Sequence, residues 1–169
     1  MDRHASETYQ ETSYEQSLDE TKQLIKHIRS LSVASSSPLV QPIITPRFAI
    51  ACTPNLLEGL GKIAHDDPSL AIQTHISENA SEIAFTQSLF PQCQNYASVY
   101  DYYGLLTERT ILGHGCHLDQ NELDLIKARG AGVSHCPTSN FNLRSGLAKV
   151  AKMLDQGIKV SLCTPPQFY

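Results

Sequence analysis

Five short apolar runs, all but the last followed by a segment with helix-start signals, constrain this chain more than any other feature. The runs are residues 39–45, 70–75, 110–114, 131–135 and 158–162. Parallel strands cannot be joined by a tight turn and need a crossover that packs over the sheet, so this alternation is the pattern of parallel βα units. The expected class is α/β: an open doubly wound sheet or part of a barrel.

The helix signals are mostly local. Thr53 followed by Pro54 marks a cap and a first turn, while Asn79 with Glu82 and Asp119 with Glu122 spell capping boxes. Gly130 and Gly157 stand where helices should stop. Ser17 with Glu20 predicts an earlier helix, with Leu18, Leu24, Ile25 and Ile28 on one face and an end near Arg29. Residues 1–16 read as an irregular or poorly ordered start, and residues 30–38 as a Ser-rich connection. Pro42 argues for an interruption or an edge in the first strand. A short helix is expected over 98–103 and a last one over 145–156.

Composition excludes some functions. A chain of 169 residues suits one domain or a piece of a larger one, and its 41% hydrophobic and 18% charged content is ordinary for a globular protein. A net charge of -4 offers nothing to a polyanion, so nucleic acid is not an expected partner. No apolar run approaches the ~20 residues that span a bilayer, and the first residues are polar, which predicts a cytoplasmic protein with no membrane partner. Five scattered cysteines, Cys52, Cys93, Cys116, Cys136 and Cys163, read as free thiols.

Chemistry concentrates where the strands end. Arg47, His75, His114 and His135 fall at the C-terminal ends of successive strands, the face on which parallel βα folds build their sites. Neighbouring strands stand about 4.8 Å apart, so His75 and His114 can share a tetrahedral zinc ion. Glu78, three residues beyond His75, is placed to carry a proton to or from a metal-activated water. Arg47 and Phe48 can fork onto and stack against a planar heterocycle, or equally make a surface ion pair and a core ring. Other groupings carry less. His114, Cys116 and His117 could form a soft-metal site but lack a second half, and Pro137 after His135-Cys136 predicts an extended turn, not a helix start that would activate the thiol. His135 reads as a pocket-lining or hydrogen-bonded histidine, Cys52 and Cys93 as filler, and Tyr100, Tyr102 and Tyr103 as helix packing.

Four motifs in order, Thr45-Pro46-Arg47-Phe48, Thr74-His75-Ile76-Ser77-Glu78, Gly113-His114-Gly115 and Ser134-His135-Cys136-Pro137 with Ser139-Asn140, resemble the guanine deaminases of the amidohydrolase superfamily. The resemblance runs from Met1 to about Leu162. It implies a partial (β/α)8 barrel, roughly strands 4 to 8 with their helices, as one incomplete domain over 1–169 with an irregular start at 1–16 and a divergent tail at 163–169. It further implies zinc bound by His75 and His114, Glu78 as the catalytic proton shuttle, and guanine held by Arg47, Phe48, His75, Ile76, Ser77 and Glu78. The implied reaction is hydrolysis of guanine to xanthine and ammonia, in a family that forms homodimers.

Two features depart from the family pattern. Its His-x-His pair has no counterpart, and its Gly-Thr-Asp at the eighth strand reads Cys163-Thr164-Pro165 here. The expectation is a truncated guanine deaminase with inherited pocket residues, with two alternatives: a non-catalytic chain that associates with a full-length homologue, or an amidohydrolase acting on another aminopurine or a triazine.

Overall fold

In a computed structural model, which describes residues 1–31 and 39–163, the predicted alternation is a sheet of five strands. They are β1 (Ile43–Ile44), β2 (Ala71–Ile76), β3 (Thr110–His114), β4 (Gly132–His135) and β5 (Lys159–Leu162). All neighbours pair in parallel and the spatial order is the sequence order. A doubly wound sheet would reverse direction at a switch point; an unbroken order is that of consecutive barrel units. Most of the Ser-rich connection, 32–38, and the tail from 164 onward lie outside the described residues.

The helices are α1 (Tyr14–Leu31), α2 (Pro54–Asp66), α3 (Ala80–Leu89), α4 (Tyr96–Tyr102), α5 (Gln120–Arg129), α6 (Pro137–Asn142) and α7 (Val150–Asp155). Local chemistry sets most of their ends. The Thr53 hydroxyl accepts from Leu56 N, Asn79 and Asp119 complete their capping boxes with Glu82 and Glu122, and Gly130 closes α5 in the left-handed region at φ 70°. Each such cap contributes about 1 kcal/mol.

Several expectations are corrected. The first helix begins at Tyr14, upstream of the Ser17–Glu20 pair, and of its predicted apolar face Leu18 and Ile25 pack on the core while Leu24 is exposed. Residues before it are irregular but anchored: the Asp2 carboxylate accepts from Thr53 N at 2.8 Å, and the Arg3 guanidinium donates to the carbonyls of Ala49 and Ile50. The predicted first strand, 39–45, shrinks to a two-residue pairing. Pro137 starts α6 instead of forcing an extended turn, because proline's fixed φ suits the first helical position. The last helix begins at Val150, not Ser145.

One face of the sheet, with Ile72, Ile76, Leu112 and Val133, is sealed by helices and forms the core together with Leu56, Leu57, Tyr96 and Tyr100. Among the described residues no helix is long and apolar enough to cross a membrane.

Candidate active site

Register alone does not bring the two histidines together. In the β2–β3 ladder His75 stands opposite Gly113, while His114 stands opposite Ile76, whose side chain faces the helices. A regular continuation of β3 would send the His114 side chain to that apolar layer, in line with Leu112. Instead His114 adopts φ 73°, a left-handed conformation uncommon for a non-glycine residue, and its ring stacks on that of His75 with centroids 5.2 Å apart. The backbone twist at this position makes the pair.

Both rings are oriented through Nδ1. His75 Nδ1–H donates to the Arg47 carbonyl at 2.6 Å, an oxygen that also accepts from His75 N at 3.1 Å. His114 Nδ1–H donates to Asn140 Oδ1 at 2.8 Å, and Asn140 is itself buried. With Nδ1 of each ring committed to an oxygen acceptor, Nε2 is the nitrogen that remains to meet a ligand, the arrangement metal-binding histidines use. Tyr100 holds the end of β2 from behind: its buried hydroxyl donates to the His75 carbonyl at 2.7 Å and accepts from Ala49 N at 3.0 Å.

Glu78 follows on the β2–α3 turn. Its backbone N–H donates to Glu82 Oε2 at 2.9 Å, and Tyr96 O–H donates to Glu82 Oε1 at 2.8 Å, so a buried carboxylate fixes the turn. Glu78 Oε2 then lies 3.8 Å from His114 Nε2. Arg47, Phe48, His75 and Glu78, with Phe85, border a pocket of about 500 Å³, within the range of small-molecule sites. The Arg47 guanidinium lies over the Phe48 ring at 5.5 Å, and Phe48 meets His75 edge-on.

Of the predicted substrate-binding residues, Ile76 and Ser77 are not brought to that pocket by their side chains. Both are fully buried; their carbonyls accept from Gly115 N and His117 N and tie the two strand ends together. Among the rejected or open groupings, His117 is engaged elsewhere, with Nε2 on the Ser145 carbonyl at 2.6 Å. Cys136 sits just before a helix, the place of an activated thiol, yet burial pushes its thiol up to about 11, and that of Cys116 likewise. His135 Nδ1 has no hydrogen-bond partner among the described residues, and Cys52 is core filler whose thiol burial raises to about 12. Tyr100 and Tyr96 stack in the core, whereas Tyr102 is exposed.

Sequence reading missed Asn140 as the residue that orients His114, although Ser139-Asn140 was part of the motif. It also missed Ser145, whose hydroxyl donates to Glu78 Oε1 at 3.1 Å. The only available signal was the Ser145-Gly146 pair, a turn composition inside what reads as a helix.

With this geometry in view, the comparisons with known proteins are decisive. The model of the Amidohydrolase family matches residues 1–165. The chain belongs to the amidohydrolase family. It is 51% identical over 164 residues to a probable guanine deaminase of Schizosaccharomyces pombe, covering 97% of this chain and 31% of that protein. A guanine deaminase of C. acetobutylicum, solved with guanine bound in its active site, superposes with a TM-score of 0.86 at 40% identity over 96% of this chain and 37% of the other. An adenosine deaminase from Xanthomonas campestris with bound zinc, at 23% identity and TM-score 0.76 over 86% of this chain and 31% of that one, shares the fold. The amidohydrolase described here thus spans about a third of the length of these relatives. Its five parallel strands are part of the amidohydrolase barrel.

Two imidazoles fit zinc as part of its shell, and no more. Among the described residues no group of three or more His, Cys, Asp or Glu side chains gathers to hold a metal, whereas catalytic zinc normally takes three protein ligands.

Proposed function

We propose that this chain serves the hydrolytic deamination of guanine, supplying the purine pocket and the proton-transfer carboxylate of a guanine deaminase. The observation that carries the reading is the convergence of Glu78, the stacked rings of His75 and His114, and the Arg47–Phe48 pair at adjoining strand ends. Similarity to relatives named guanine deaminase supports guanine as the substrate.

Zinc would be held by His75 and His114, with further ligands from outside the described residues, and would supply the acidity that activates water near neutral pH. The chain's own residues then do the following. Phe48 offers an aromatic face to the purine plane, and Arg47 offers paired N–H donors to its acceptors. Water adds to the amino-bearing C2, and Glu78 takes the proton and returns it to the departing nitrogen. The balance is guanine plus water to xanthine plus ammonia. Another aminopurine or a triazine is the competing substrate for the same pocket, and substrate competition separates these from guanine.

Steady-state turnover of the purified chain with added zinc, following guanine loss and ammonia release, tests the proposal. Glu78→Gln is expected to remove activity by about 10²-fold or more, and turnover no higher than that of zinc alone sinks it. A second reading, association with a further chain, draws on the open sheet face. There Ile111 is 44% exposed, and on the other face of the edge strand β5 Leu162 is 71% exposed. Size-exclusion chromatography of the chain alone and with a full-length homologue distinguishes a homo-oligomer, a mixed complex and a monomer.

A further inference from the structure

The segment between α6 and α7 crosses the strand ends and reaches back to Glu78. Three hydrogen bonds pin Ser145 within it. Its N–H donates to the Asn140 carbonyl at 2.9 Å, its carbonyl accepts from His117 Nε2 at 2.6 Å, and its hydroxyl donates to Glu78 Oε1 at 3.1 Å. Ser145 is buried, so water does not compete freely for that hydroxyl.

The neighbouring backbone is built for this contact. Gly146 has φ 136°, which L side chains rarely adopt, and a Cβ there would stand 2.8 Å from His117 Nε2. Glycine is therefore needed twice at 146, for the chain path and for the approach of the His117 ring. Asn140 closes the circuit, since its side chain orients His114 while its carbonyl holds Ser145.

We infer that Ser145 is a positioning residue for Glu78, held in turn by His117. The hydroxyl engages Oε1 and so leaves Oε2 as the oxygen that faces His114 Nε2 at 3.8 Å. A glutamate on a freely rotating stem would spend much of its time turned away; the serine confines it to one rotamer and distinguishes its two oxygens. The inference rests on Glu78 being the proton carrier.

The test uses the full chain with two independent readouts. In the first, Ser145→Ala is expected to lower kcat for guanine by about 10- to 100-fold with KM little changed, and Ser145→Thr, which keeps the hydroxyl, to recover most of it. In the second, the Glu78 side-chain carboxyl ¹³C resonance is assigned by its disappearance in Glu78→Gln. It should shift or broaden in Ser145→Ala and stay in place in Ser145→Thr. An unmoved resonance in Ser145→Ala overturns the inference whatever the activity. A moved resonance in a chain without turnover leaves the positioning intact and defeats the proposed reaction instead. If Ser145→Thr fails to melt cooperatively, His117→Ala takes its place: it must move the same resonance in the direction Ser145→Ala does, and no movement overturns the inference.

Discussion

On the helix-covered face of the sheet Ile72, Ile76 and Leu112 are fully buried, whereas one residue along the same strands Gln73 and Ile111 reach solvent on the other face. Alternation of side chains gives each strand both duties. The covered face excludes water over a continuous apolar layer and holds the strands in register. The open face carries Thr45, Gln73, His75 and Ser134, polar groups that add little to stability and are available for chemistry. Residues next to each other along the backbone therefore answer to different selective demands, stability on one side and function on the other.

The largest effect expected from this division is on the covered face. Leu112→Ala should cost about 2–5 kcal/mol in chemical denaturation, whereas Ile111→Thr should change stability by no more than about 0.5 kcal/mol. Equal losses at the two positions would mean that the open face is covered in solution. Next in size, His75→Asn should abolish zinc uptake measured by calorimetry while lowering stability by about 1 kcal/mol, the worth of its hydrogen bond to Arg47. Unaltered zinc binding would remove His75 from the ligand set.

The smallest effect lies on the far side of the helices, at the Arg29–Asp67 ion pair, with oxygen and nitrogen 2.5 Å apart. Hydrogen bonding from Arg29 and then Ser69 holds the Asp67 carboxyl at about 2, below its ordinary 3.8. Because the folded value is the lower one, the stabilisation is present above 3.8 and is lost as pH falls through about 2. The pair is partly exposed, so its worth is about 0.2–1 kcal/mol. Asp67→Asn should remove that share of the acid-side slope in a pH series of denaturation curves and leave stability well below pH 2 unchanged.

What the sequence made legible follows the range of the forces involved. The starts of α2, α3 and α5 were readable because Thr53, Asn79 and Asp119 each cap a backbone N–H three residues on. β3 was readable to the residue, since Thr110 and His114 bound a compact apolar run. The start of α7 was not, because Ser145 is committed to Glu78, 67 residues away, and to His117, 28 residues away, and long-range bonds outweigh helical propensity there. The brevity of β1 is likewise decided by its partner strand. In the site, the gathering of His75, Glu78 and His114 was legible from their positions at strand ends; that Asn140 and Ser145 hold them was not, since the motif and the Ser145-Gly146 turn signal do not say which distant side chain each one meets.

The left-handed backbone at His114 has a consequence for heredity. A histidine held at φ 73° costs roughly 1–3 kcal/mol that glycine would not. Glycine at 114 would relieve that strain but would also leave Asn140 Oδ1 without its partner and a void where the buried ring stood, so the two terms oppose each other. What a population keeps at this one position therefore reflects a compromise between backbone ease and the contacts of the ring, not stability or chemistry alone.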